Sequence, residues 1–345
     1  MSLPLRDFEA LAEAAMEPSA FAYVAGAAGQ ELTARRNLEA WAELPLRPKS
    51  MRDLSGLTTA CDLLGLRLDA PLLVAPMAYQ RLATPEGERA MALAAAAQGV
   101  GFVLSCQSSV APEEAAVAPF WFQLYLQRDP AHSRALAARA LAAGATALVV
   151  TVDAPVNGIR DREIKAGFSL PQDVRPVMLD ALGIPAAQGT LEELLSAAPD
   201  WQDLAALCAE SPVPVIAKGV MTAEDAQAAL AAGCAAVILS NHGGRVLDGL
   251  PATAEVLPQI RAALPEAVLL VDGGIRTGQD MLRALALGAD AVLLGRPAYF
   301  ALAAGGAQGA SACLRRLRDE FTIAMALCGA RHPGEIGPDC LYTSA

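Results

Sequence analysis

The 345-residue sequence has no cluster of lysines and arginines, no CxxC pair, and no uncharged apolar run of the about 18 residues that a membrane helix needs. Each absence removes a class of function. A net charge of -11 without a basic patch repels a phosphate backbone over most of the surface, so nucleic acid is not expected as a partner. The seven cysteines, at 61, 106, 208, 234, 313, 328 and 340, form no metal-like grouping with the three histidines, which leaves no metal centre to expect and fits a reducing cytoplasm. The start, MSLPLRDFEALAEAAMEPSAFAYVAG, alternates acidic and apolar residues at helical spacing and lacks the basic start and unbroken apolar run of a signal peptide. The Ala-rich runs are interrupted by Gln, Gly, Pro and charges, so a soluble protein without a membrane partner is expected. No break in composition separates two cores, and residues 1–345 read as a single domain.

Hydrophobic residues make up 54% of the chain and charged residues 18%, enough apolar material for one large core. From Pro71 onward, eight apolar runs of strand length, beginning near 72, 100, 120, 147, 213, 236, 267 and 291, alternate with Ala-rich segments such as EGERAMALAAAAQG and GQDMLRALALGA. Those segments are rich in helix formers and most end in glycine. The runs are continuously apolar, as strands covered on both faces must be, so the pattern predicts an α/β fold, a (β/α)8 TIM barrel. The barrel is expected over 71–300, preceded by a helical extension over 1–65 and followed by a C-terminal helix and tail over 310–345. Residues 157–200 form a long connection after the fourth strand and read as a lid-like loop with a mobile middle.

Barrel enzymes work at the C-terminal ends of their strands. Here those ends read PMAYQR, SCQSS, QLY, TVD, KG, SNHGGR, DGGIR and GRP, which places Gln123, Asp153, Lys218, His242 and Arg276 at equivalent points. DGGIR and GRP stand where barrels build a phosphate cradle from backbone N–H groups, a helix N-terminus and arginine forks; two tight turns with solvated arginines are the plainer alternative. Lys218 could form a Schiff base, supply fixed positive charge to a developing anion, or simply reach for solvent from the core edge. His242, with an ordinary pKa of about 6.5 for its type, can accept a proton, steadied by a carboxylate such as Asp153. Arg245 and Tyr125 stand in the same company. His132 and His332 read as surface residues, and GAAG at 26–29 reads as a loop between helices because no strand precedes it.

These motifs resemble the FMN-dependent L-2-hydroxy acid oxidase and dehydrogenase family, whose members include glycolate oxidase, lactate oxidase, mandelate dehydrogenase and 4-hydroxymandelate oxidase. The resemblance runs from YVAGAAGQELT through APMAYQRLATPEGE, WFQLY, TVDAP, KGVMTAEDA, SNHGGRVLDG, DGGIRTGQD and LGRP to LRDEFTIAMALCG. It implies FMN as cofactor. Pro76, Met77, Ala78, Ser105, Gln123, Thr151, Lys218 and Ser240 correspond to residues that contact the ring and ribityl chain. Asp272, Gly273, Gly274, Ile275 and Arg276, with Gly295 and Arg296, correspond to the segments around the ribityl tail and phosphate. The resemblance makes His242 the base and Asp153 its partner, has Lys218 stabilise the reduced flavin, and assigns the substrate carboxylate and hydroxyl to Arg245, Arg160, Tyr125 and Tyr23.

The activity implied is oxidation of a small L-2-hydroxy acid, lactate-like or mandelate-like, to the 2-keto acid, with oxygen as acceptor. A dehydrogenase with another acceptor is the alternative, as are, from other classes, a Schiff-base aldolase using Lys218 and a flavin-binding protein without turnover. The proton taken by His242 could leave the hydroxyl, with hydride transfer, or the α-carbon. Met77 stands where many members carry Thr, and Gln107 where glycolate oxidases carry Trp, which speaks against glycolate. The loop after strand four and the C-terminal tail are short for the family. Members are commonly homotetramers or homo-octamers, which sets the expectation for assembly.

Overall fold

The computed structural model describes residues 3–185 and 190–342. Three helices come first: α1 (Asp7–Ala15), α2 (Pro18–Ala25) and α3 (Leu32–Ala42). Pro18 opens α2 where a missing N–H costs nothing, and the Glu17 carboxylate accepts from Ala20 N at 2.9 Å. GAAG lies between α2 and α3, as expected. The helical reading of 1–65 missed a short antiparallel hairpin, β1 (Cys61–Leu63) and β2 (Leu66–Leu68). Its two turn residues, Leu64 and Gly65, both have positive φ, 46° and 83°, the backbone that matches the twist of a two-residue hairpin. A run of only three residues per strand carries too little alternation to be seen in sequence.

Each of the eight predicted runs contains one strand of a closed parallel barrel. They are β3 (Leu72–Val74), β4 (Gly101–Ser105), β5 (Phe120–Leu124), β6 (Ala145–Thr151), β7 (Val215–Val220), β8 (Ala236–Leu239), β9 (Leu269–Val271) and β10 (Ala291–Leu294), with β10 pairing β3 to close the ring. The helices α4 (Gly87–Ala97), α5 (Pro112–Ala115) and α6 (Pro130–Ala142) follow β3, β4 and β5. After β6 come α7 (Asp161–Lys165), α8 (Val177–Ala181), α9 (Leu191–Ser196) and α10 (Trp201–Glu210), then α11 (Ala223–Ala231), α12 (Thr253–Ala263), α13 (Gly278–Ala286) and α14 (Arg296–Leu327) after the remaining strands.

The alternating pleat of the strands divides the core in two. Leu72, Val74, Phe102, Leu104, Phe122 and their equivalents face outward against the helices. Leu73, Val103, Trp121, Val149, Ile216, Ile238, Leu270 and Leu293 face inward and fill the barrel, joined at its N-terminal end by Leu63, Leu66 and Leu68 of the hairpin. The hairpin is therefore a plug.

The segment 157–200 is more structured than a lid without elements of its own. Val174, Met178 and Ile184 are buried, and Val177 N donates to Ser108 O at 3.1 Å, tying the segment to the loop after β4. Of its middle, where mobility was expected, residues 186–189 lie outside the described residues. The C-terminal helix begins within GRP, at Arg296 rather than near 310, and is broken at Gly305 and Gly306, where φ of Gly306 is 58°. The break lets its second half pack on α1, α4 and α13.

Trp121 is fully buried at the centre of the inner cluster. Trp121→Ala should cost about 3–5 kcal/mol of stability and lower the thermal unfolding midpoint clearly. An unchanged midpoint by calorimetry would show that the barrel interior is not tightly packed.

Candidate active site

The pleat that fills the barrel also builds its rim. Two residues beyond each inward apolar residue, the chain places the next inward side chain at the C-terminal mouth. Val103, Trp121, Val149, Ile216, Ile238 and Leu270 are thus succeeded by Ser105, Gln123, Thr151, Lys218, Ser240 and Asp272. Six successive strands, β4 to β9, each contribute one polar group. The Ser105 hydroxyl donates to Gln123 Oε1 at 3.0 Å, and Gln123 Nε2 donates to Thr151 Oγ1 at 3.0 Å. Lys218 Nζ donates to Ser240 Oγ at 3.0 Å and to Asp272 Oδ2 at 2.9 Å, in an ion pair almost removed from solvent. The last two strands close the ring with Met77 and Gly295, two positions after Ala75 and Leu293. A Cβ on Gly295 would have Met77 Sδ, 4.0 Å away, as its nearest neighbour.

Above this rim lies a cavity of about 340 Å³. All the candidate residues line it except Asp153 and Ser240, which stand behind His242 and Lys218. His242 belongs to a turn whose three residues, His242, Gly243 and Gly244, all have positive φ, of 56°, 62° and 78°. Only glycine holds such backbone without strain, so the imidazole is presented on a sharp, over-determined turn. Gly243 and Gly244 also have no room for a side chain: a Cβ would meet Arg296 Nη2 at 2.8 Å in one case and Ala34 N at 2.8 Å in the other.

His242 Nδ1 lies 3.1 Å from Asp153 Oδ1 and 3.3 Å from Oδ2, which leaves Nε2 for the cavity. Burial would raise the Asp153 pKa, but the hydrogen bond and charge of His242 and the charge of Lys218 outweigh it and hold the carboxyl below its usual range. Asp153 is therefore an anion at neutral pH. Room for it comes from Gly219, at φ 111° on an irregularity in the β7–β8 pairing, where a Cβ would fall 2.5 Å from Asp153 Cγ.

Another part of the lining is cationic and aromatic. Arg245 Nη1 donates to the carbonyls of Tyr23 and Gly26, both at 2.7 Å, and its guanidinium carbon lies 5.1 Å from the centre of the Tyr23 ring. No carboxylate pairs with Arg245 among the described residues, whereas Arg160 is held by Glu163 at 2.7 Å. Burial depresses the Arg245 pKa and raises those of Tyr23 and Tyr125, so both phenols stay protonated donors. Tyr23 stacks on Phe168, 4.6 Å between centroids, and lies 6.3 Å from Tyr79.

At the far end of the cavity, the turns after β9 and β10 differ in a way the sequence reading did not foresee. The N-terminus of α13 is already capped by protein side chains: Asp280 Oδ2 accepts from Arg276 N at 3.0 Å and Thr277 N at 2.9 Å, and Glu320 of α14 from Gly278 N at 3.0 Å. The N-terminus of α14 has no side-chain cap. An anion would therefore meet the open end of α14 together with the Arg276 and Arg296 guanidiniums. Neither guanidinium has a carboxylate partner among the described residues; Arg296 Nη2 donates to Gly243 O, and Arg276 Nη1 to Ile275 O at 2.9 Å. Burial, then Arg276 and Arg245, pushes the Arg296 pKa down to about 9, the mark of positive charges crowded without a counter-ion.

Tyr79 and Tyr299 line the cavity but were not among the expected residues. Tyr299 was findable, since it follows Arg296 by three on a helix and so shares its face; its hydroxyl donates to Tyr79 O at 2.7 Å. Nothing in the sequence marked the left-handed backbone of Tyr79, φ 57°. His332 is an exposed residue beside Glu335, while His132 is half-buried on α6; neither is near the cavity.

The model of the FMN-dependent dehydrogenase family matches residues 12–343 of the chain. The chain belongs to that family. The chain is 47% identical to an L-lactate oxidase of Roseobacter sp. (strain GAI101), over 99% of its own length and 95% of the relative's. It is 42% identical to the 4-hydroxymandelate oxidase of Amycolatopsis orientalis, over 96% and 95%. A crystal structure of mandelate oxidase with (S)-4-hydroxymandelic acid superposes with a TM-score of 0.91 at 39% identity, covering 99% of this chain and 98% of that one.

The residues lining the cavity suit FMN, the cofactor of the family. Arg276 and Arg296, with no carboxylate partner among the described residues, offer forks of donors to a phosphate. Asp272 Oδ1 is buried without a hydrogen-bond partner, an acceptor free for a hydroxyl of a polyol chain. Gly295 faces open space toward the cavity.

Two outcomes follow from this geometry. Arg296→Met in the apoprotein should weaken FMN binding, measured by fluorescence quenching, by about 10-fold or more; an unchanged affinity would rule out its charge as a phosphate anchor. Gly219→Ala should drive Asp153 away from His242 and lower kcat by up to about 100-fold with FMN content intact. Full turnover in that variant would free Asp153 of any positioning task.

Proposed function

We propose that this chain, residues 1–345 acting as one catalytic domain, oxidises a small L-2-hydroxy acid, lactate-like or mandelate-like, to the 2-keto acid with oxygen as acceptor. The observation that carries the reading is the presence in one cavity of His242, backed by Asp153, and Arg245, a guanidinium without a carboxylate among the described residues. Arg245 and Arg160 bind the substrate carboxylate, and the protonated Tyr125 and Tyr23 hydroxyls orient it through hydrogen bonds. His242 Nε2 takes the proton released in oxidation, and the Asp153 anion stabilises the imidazolium that forms. Bound FMN supplies the two-electron acceptor, held by Arg276 and Arg296 at its phosphate and by the rim from Ser105 to Asp272 elsewhere.

Lys218 supplies fixed positive charge in this scheme. Its Nζ is already committed to Asp272 and Ser240, which favours that task over a Schiff base. Oxygen as acceptor rests on the relatives above, which are named oxidases. The stacked Tyr23 and Phe168 rings, with Tyr79 beside them, suit an apolar or aryl substituent on the α-carbon. We also propose a cytoplasmic location, which seven cysteines outside any disulfide suit, and, from the family resemblance alone, a homotetramer or homo-octamer.

His242→Gln should keep its FMN but lose anaerobic bleaching by L-lactate and L-mandelate; near-normal bleaching would refute the base. Bleaching of the unaltered enzyme by neither acid, nor by longer ones, would favour a flavin-binding protein without turnover. Arg245→Lys replaces a two-pronged contact by a point charge and should raise KM about 10-fold or more. An unchanged KM would remove Arg245 from carboxylate binding.

A further inference from the structure

Among the seven cysteines, one pair is set apart. Cys208, on α10, and Cys234, in the turn before β8, are 26 residues apart in sequence, yet their sulfurs lie 3.9 Å from one another. They sit on the outer side of the barrel, and neither lines the catalytic cavity. Cys208 is partly exposed to solvent, whereas Cys234 is buried. The backbone between the turn and the helix is built for closeness. Gly233 stands at φ 100°, and a Cβ there would come within 3.1 Å of Cys208 Cβ.

We infer that Cys208 and Cys234 form a peroxide-oxidisable dithiol, a modification site that closes to an intramolecular disulfide. The step balances with hydrogen peroxide alone. The Cys208 thiolate attacks one peroxide oxygen, the O–O bond breaks, and the departing hydroxide takes a proton to leave as water. The sulfenic acid so formed is attacked by Cys234; the S–O bond breaks, a second water leaves, and the S–S bond forms. Two thiols lose two electrons and one peroxide gains them. The sulfurs must close from 3.9 Å to a bonded distance of about 2 Å.

The surroundings favour Cys208 as the attacking group. The Cys234 thiol donates a hydrogen bond that draws the Cys208 pKa below its ordinary value, against the opposing effect of burial. Elsewhere burial pushes thiols the other way, Cys61 up to about 11 and Cys106 and Cys313 up to about 12. Peroxide is also the co-product expected whenever the reduced enzyme is reoxidised by oxygen. The site therefore lies within reach of its own oxidant, although its chemistry does not depend on the proposed substrate.

The test uses the holoenzyme treated with hydrogen peroxide, then denatured, alkylated and mapped without reductant. The number of alkylatable thiols should fall by two from seven, and one new linked peptide should join Cys208 to Cys234. Cys234→Ser should stop the reaction at a sulfenic acid on Cys208, trapped by dimedone, whereas Cys208→Ser should leave Cys234 fully alkylatable. Complete alkylation of both residues after peroxide, or a crosslink of either to a different cysteine, would overturn the inference. A second arm runs turnover on L-lactate in air with and without catalase. The linked peptide should appear only without it. Linkage by added peroxide but none during turnover would uphold the pair and count instead against oxygen as acceptor.

Discussion

The constraint on which this structure rests is the two-residue period of a strand buried on both faces. Inside the barrel, that period stacks Val103, Trp121, Val149 and their neighbours into a solid interior, and the same step carried once further delivers Ser105, Gln123, Thr151, Lys218, Ser240 and Asp272 to the mouth. The catalytic floor is therefore the uppermost layer of the core. A shift of register by one residue in any of these strands would exchange a polar rim residue for an outward-facing apolar one, such as Leu104 or Val150. Packing and chemistry cannot be altered independently here.

Electrostatic balance at the site divides along the same lines. The floor is neutralised internally, Lys218 by Asp272 and His242 backed by Asp153. The walls are not. Arg245, Arg276 and Arg296 face the cavity with carbonyl partners only, and burial depresses the pKa of each, helped at Arg245 by the charge of Arg160 and at Arg296 by those of Arg276 and Arg245. Charge that the protein leaves unmet is charge reserved for ligands, a phosphate at one end and a carboxylate at the other.

Much of this was legible in the sequence because barrel strands advertise themselves. Continuous apolar runs ending in SNHGGR, DGGIR and GRP state both where a strand stops and what stands at its end, and TVD and KG place Asp153 and Lys218 with equal economy. What escaped was set by backbone geometry and by contacts remote in sequence. The β1–β2 plug is too short to show a period, and the left-handed Tyr79 carries no glycine to announce it. The self-capping of α13 by Asp280 was within reach of a sequence reading, since Thr277 and Asp280 stand at capping-box spacing. The start of α14 at Arg296 was hidden by the two glycines that break it, which suggested a helix beginning later.

The uncompensated guanidiniums beneath α14 have a thermodynamic corollary. Arg296 also grips Gly243 O and Ala25 O, so the helix, the histidine turn and the end of α2 meet at a cluster of like charge. Departure of the dianion would restore that repulsion at the junction of three elements. Cofactor occupancy and conformational integrity are then linked equilibria: saturation with FMN raises the free energy of unfolding in proportion to the logarithm of its free concentration, and dilution moves the population toward the emptied, more readily unfolded species.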